Sequence, residues 1–140
     1  MNRALLQQLA EERASEAEVL LNGGKWAGAY YLAGYAVECG LKSCVLAFVA
    51  NQPDIVFRDK KYSEKCWTHD IGSLVALADL QDARDADTRA NPALGLNWLL
   101  VQGWSEKARY DLKLEPEARR FYEAVTHEAN GVLPWIRMRW

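Results

Sequence analysis

Across residues 25–50 apolar side chains recur on every side of a helical projection, and no proline interrupts them. At about 100° per residue, Trp26, Tyr30, Ala33, Val37, Leu41, Cys44 and Phe48 share one face, and Ala29, Leu32, Ala36 and Ala47 lie on a neighbouring one. A helix apolar all round belongs at the centre of a core. One narrow seam is polar: Tyr31, Tyr35, Glu38 and Lys42, with Glu38 and Lys42 spaced four apart so that their heads can pair. Ala27, Gly28, Ala33, Gly34, Ala36 and Gly40 would let neighbouring helices approach closely.

The remaining elements arrange themselves around this stretch. Residues 2–21 alternate Leu5, Leu9, Ala14 or Ala17 and Leu20 or Leu21 with Glu11, Glu12, Arg13, Glu16 and Glu18, the pattern of an amphipathic surface helix. It stops at Asn22-Gly23-Gly24, where glycine supplies left-handed capping geometry and the short gap makes the next helix antiparallel. Residues 51–70 keep no period and read as a long loop, locally basic at Arg58, Lys60, Lys61 and Lys65 with Tyr62 and Trp67 interleaved, either a solvated loop pinned by a buried Trp67 or a surface that could hold a phosphate chain and stack a base. Asp70 or Thr68 can cap a helix over 71–80. The polar run 81–91 predicts a short helical turn. Asn91-Pro92 opens a further helix, which weakens at Gly103 and ends near Arg109-Tyr110. The last helix is expected over 116–136, with Ala118, Tyr122, Val125, Ala129, Val132, Leu133 and Ile136 facing the core and Pro134 bending its end. The fold class expected is all-α, an up-and-down bundle of four to five principal helices in one domain over residues 1–140.

Composition narrows the functional classes. A formal net charge of -2 and 50% hydrophobic residues fit a folded core and give no general attraction to nucleic acid or acidic membranes. Three cysteines without CxxC spacing read as reduced thiols in a cytoplasmic protein. Glu38 and Lys42 interrupt the most apolar run, so a membrane span is not expected. Two histidines without a ligand cluster make no metal site, and no cofactor is expected.

Several residues carry candidate chemistry. His69 stands at the mouth of a helix, a structural position or one that could meet a phosphate. Glu38 and Lys42, buried, need partners, either as a structural ion-pair network with Tyr31 and Tyr35 or as a polar pocket for a nucleotide phosphate with Lys42 and Arg109. The tail, with Trp135, Arg137, Arg139 and Trp140, is expected to pack or to be buried in a dimer.

The run Ala33 to Ser43 (AGYAVECGLKS), then His69-Asp70 before an apolar helix, then Arg109-Tyr110 after a tryptophan-rich helix resembles the HEPN domain over about three-quarters of the chain. The resemblance implies a helical bundle, usually dimeric, either binding nucleotide beside a minimal nucleotidyltransferase partner or cleaving RNA without metal, as a toxin does. It places Arg109-Tyr110 within reach of Glu38. Ribonuclease members carry an arginine followed a few residues later by a histidine. Here Arg120 and His127 stand with six residues between them. On one continuous helix they would lie within about 20° and ~10 Å of each other, pointing away from the core, with Ala124 and Gly131 leaving room for a partner. Paired across a two-fold axis, His127 would serve as acid or base and Arg120 would steady phosphorane charge. The chain departs from that pattern at Phe121, where active members have Asn, Asp or His. Three readings follow: a dimeric module binding nucleotide or RNA, a metal-independent endoribonuclease, and a purely structural interaction domain.

Overall fold

The computed structural model describes all 140 residues as helices and turns. In order these are α1 (Arg3–Asn22), α2 (Trp26–Asn51), α3 (Ile55–Arg58), α4 (Tyr62–Lys65), α5 (Ile71–Leu77), α6 (Gln81–Ala90), α7 (Pro92–Gln102), a 3-10 turn (Glu106–Tyr110), α8 (Glu115–Thr126) and α9 (Val132–Arg137). The protein is all-α, as its periodicity predicts.

Helix α2 is the axis of the bundle, and α1, α5, α8, α9 and the 3-10 turn all pack on it. It is long and apolar enough to cross a membrane, yet 56% of its most apolar window is inside the protein, covered by those neighbours. Leu41, Val37, Ala33 and Ala36 have no exposed surface. Each buried aliphatic side chain contributes about 1.5–3 kcal/mol of transfer free energy. Two glycines of α2 set how close its neighbours come. A β-carbon on Gly34 would overlap the Trp104 indole, and one on Gly40 would sit 3.0 Å from Ile136 Cγ2.

Helix α1 turns back onto α2 at Gly24, whose φ of 73° is left-handed, and Lys25 N closes on Leu20 O at 2.8 Å. Its buried face is Leu6, Ala10, Ala14, Ala17 and Leu21, one position away from the expected Leu5 and Leu9, of which Leu5 is exposed. Three alanines in that face allow the small-residue surface of α2 to approach.

The loop expected over residues 51–70 contains α3 and α4, and Trp67 does not pin it: that side chain is 71% exposed. Tyr62 anchors the segment instead, buried and donating its hydroxyl to Leu77 O at 2.5 Å. The run expected as a short turn is a full helix, α6, tied to the C-terminal segment where Asp87 accepts from Trp135 Nε1 and Arg139 Nη2, both at 2.8 Å. The tail is therefore packed, with Arg137 also forked onto Glu11.

The single helix expected over 116–136 is two. Helix α8 ends at Thr126, His127 takes φ -51° and ψ 126°, and α9 begins at Val132. The break lies seven residues before Pro134, where the bend was expected. Gly131 makes it sterically accessible, since a β-carbon there would collide with the backbone of His127 and Val125.

Candidate functional site

The polar seam of α2 is covered rather than solvated. Glu38 is 3% exposed, and it holds two partners: Lys42 Nζ donates to Oε1 at 2.7 Å, and His69 Nδ1 lies 3.0 Å from both carboxylate oxygens. Lys42 arrives by the helical i,i+4 spacing. His69 arrives from the start of α5, which Asp70 caps by accepting from Ser73 N at 2.7 Å, while Thr68 Oγ1 accepts from Asp70 N at 3.0 Å. Two interlocked turns thus aim the imidazole at the buried carboxylate. The His69 side chain stays 42% exposed, so its ring bridges the interior and the surface.

Aromatic rings wall this cluster. Tyr35 meets His69 edge-on at 6.2 Å and Trp104 at 5.2 Å, and Tyr31 packs edge-on against Tyr35 at 5.0 Å. Burial, followed by the neighbouring Tyr31 hydroxyl and the Glu38 charge, holds the Tyr35 pKa above its ordinary value. Trp104 lies on bare Gly34, and its indole N–H is buried without a hydrogen-bond partner.

Arg109 does not reach Glu38, although the resemblance implied that it would. Its guanidinium stacks over the Tyr110 ring at 4.9 Å, and hydrogen bonding to Tyr110 first, then to Tyr31, raises its pKa. The 3-10 turn leaves Arg109 and Tyr110 on the surface, so Arg109 borders the cluster through Tyr31 and leaves its charge to solvent.

The second set of expected residues is brought together by a different route. The break at His127 removes Arg120 and His127 from a common helical face. Ala124 has no exposed surface and Gly131 is buried in the turn, so neither offers room to a partner. Phe121, which stands where a polar follower was sought, is 2% exposed and stacks on Tyr30 with ring centroids 4.1 Å apart. Hydrogen bonds nevertheless connect the pair. Arg120 Nη1 donates to Asn97 Oδ1 at 3.1 Å, Asn97 Nδ2 donates to Asn130 O at 2.8 Å, and Asn130 N donates to His127 Nδ1 at 3.1 Å.

The chain matches no protein-family model, no curated protein and no solved structure.

In the first cluster, a buried carboxylate carries one ammonium and one imidazole. With Nδ1–H donated to Glu38, His69 is left with Nε2 free to accept as the neutral ring or to donate as the cation. In the second, an exposed guanidinium and an exposed imidazole sit at the two ends of a carboxamide chain. Asn97 and Asn130 were not among the residues singled out by sequence. The signals were there: Asn97 is the lone polar side chain inside the apolar run of α7, and Asn130-Gly131 is a turn dipeptide. The larger surface grooves lie elsewhere, one of about 640 Å³ along α6 and α7 and one of about 570 Å³ between Phe48, Tyr62 and Leu77.

Proposed function

We propose that this chain is a HEPN-like helical module that binds the phosphate of a nucleotide or of RNA at the Glu38–Lys42–His69 cluster. The observation that supports it is the half-exposed His69 ring fixed on a buried Glu38 that Lys42 already neutralises. The exposed edge of the His69 ring, with Arg109 at the border, offers donors to an anion, and the neighbouring Asp70 carboxylate is engaged in capping α5. The aromatic wall of Tyr31, Tyr35 and Trp104 gives the site rigid sides. In this reading the module works as a homodimer and beside a nucleotidyltransferase-type partner, and the exposed leucines of α7, Leu96, Leu99 and Leu100, support a protein contact.

Calorimetric titration of ATP, GTP and a short mixed-sequence RNA into wild type, His69→Ala and Arg109→Ala tests the reading. Saturable binding by wild type, weakened at least tenfold in each folded variant, is the expected result. Absence of binding by wild type, or binding unchanged in both variants, overturns it.

A second reading, a metal-independent endoribonuclease acting through Arg120 and His127, is supported by the hydrogen-bonded chain that joins those two residues. Cleavage of RNA in EDTA by wild type and not by His127→Ala is its expected signature.

A further inference from the structure

Arg120 is an exposed side chain, and an exposed arginine ordinarily keeps its rotamer freedom and its water. Here it does not. Asn97, 6% exposed in the middle of α7, directs its carboxamide oxygen at the Arg120 guanidinium and its amide group at Asn130 O. Only a carboxamide offers an acceptor and a donor on one short planar group. Asn130 is itself held from the far side, where Asn91 Nδ2 donates to Asn130 Oδ1 at 2.8 Å and Asn91 Oδ1 caps α7 by accepting from Leu94 N. The turn that follows is closed by Gly131 N on His127 O at 2.7 Å, and both Ala129 N and Asn130 N donate to His127 Nδ1, at 3.2 and 3.1 Å.

These bonds fix the state of the ring. Two backbone donors on Nδ1 require its lone pair, so the proton of the neutral imidazole lies on Nε2, the nitrogen left free. Asn97 is the one protein group hydrogen-bonded to the Arg120 guanidinium, and it is uncharged, so the arginine's charge is not neutralised there.

We infer that Asn97 is a positioning residue which, through Asn130, holds Arg120 and the His127 ring as one oxyanion-binding pair presenting a guanidinium edge and an Nε2–H to a phosphate group. The ligand class, a phosphodiester, rests on the endoribonuclease reading; the relay itself rests on the geometry. An interaction bound in advance costs no reorganisation when the anion arrives.

Long-range proton–nitrogen spectra of the imidazoles test this, since the chain has two histidines and His127→Ala identifies the signals of one. In wild type His127 is expected as the Nε2–H tautomer, and titration with inorganic phosphate is expected to shift both His127 and the Arg120 Nε resonance. Asn97→Leu, of similar volume, should retain helicity, scramble the tautomer and weaken the phosphate response at least tenfold. Asn97→Asp, which keeps the acceptor for Arg120 and removes the donor to Asn130, should leave the arginine shift and lose the tautomer preference. An Nδ1–H tautomer in wild type, or an unchanged phosphate response in folded Asn97→Leu, overturns the inference. Should Asn97→Leu not fold, the wild-type tautomer and Asn97→Asp decide it. If RNA survives in EDTA while tautomer and phosphate behave as expected, the ribonuclease reading fails and the relay stands.

Discussion

Glu38 and His69, separated by 31 positions in sequence, meet with the imidazole Nδ1 3.0 Å from both carboxylate oxygens. The pair joins the centre of α2 to the start of α5 and puts one end of a buried charge network at the surface. The partners of Glu38 differ in exposure, and so do their expected roles. Lys42→Ala removes the ammonium from the buried carboxylate, leaving it only His69, and should cost about 3 kcal/mol, whereas His69→Ala opens the carboxylate to water with Lys42 still in place and should cost ~1 kcal/mol. Urea unfolding of the two variants checks the order; equal losses would mean that the network does not depend on burial.

Arg109→Ala separates structure from ligand. Because Arg109 is exposed and turned toward Tyr110, the variant is expected to keep the wild-type urea midpoint. A large loss of stability would restore the ion-pair role that its exposed position denies it.

Phe121→Asn supplies the polar follower characteristic of ribonuclease members. At this position it removes the stack on Tyr30 and buries a carboxamide, so the expected cost is about 3 kcal/mol or more, read from the thermal midpoint. A variant as stable as wild type would show that the position does not face the core.

How much of this was legible in the sequence follows from what each residue type can signal. The all-round apolarity of α2 and the Asn91-Pro92 helix start are local patterns, and both elements formed as expected. Glu38 and Lys42 were marked by being charged on a buried helix, but the third partner, His69, belongs to another element, and no spacing rule reports a tertiary meeting. Phe121 is legible only as a departure from the ribonuclease pattern; that its ring stacks on Tyr30 is a tertiary contact with no local signal. The last helix, expected as one piece bent at Pro134, breaks at His127 ahead of Asn130-Gly131; Ala129, expected in the core, is exposed, whereas Val132, Leu133 and Ile136 are buried as expected. The rotation of the α1 face has a similar origin, since alanines mark a helix face weakly although they permit its closest packing.

Gly34→Ala places a methyl group inside the Trp104 ring. The indole, wedged between Tyr31, Tyr35 and the α2 backbone, has no free direction to retreat, so a loss of about 3 kcal/mol and a changed near-ultraviolet circular dichroism spectrum are expected. An unchanged spectrum would contradict the contact.

Stability should fall in alkali. Burial pushes the Cys39 thiol up to about 11, and the Cys44 thiol and Tyr62 hydroxyl up to about 12. Each group holds its proton more tightly folded than unfolded. Its contribution is therefore complete below the ordinary values of 9.0 for the thiols and 10.0 for the hydroxyl, and is lost as pH rises through 11 and 12. A urea midpoint constant to about pH 9 and declining steadily above it is expected; a midpoint that rose over that range would reverse the sign.

The central place of α2 also governs the order in which the protein can be completed. Its covering comes from both sides in sequence: α1 precedes it, but Trp104, Phe121, Leu133 and Ile136 follow it, and the thiol of Cys44 meets Ile136 O across 92 positions. On a ribosome the most water-averse segment is therefore made early and sheltered late. Until α8 and α9 emerge, only α1, α5 and the 3-10 turn can shield it, and the nascent chain still shows part of an apolar helix of membrane-spanning length to chaperones and targeting factors. This delay makes the last two helices the step that completes the core around α2.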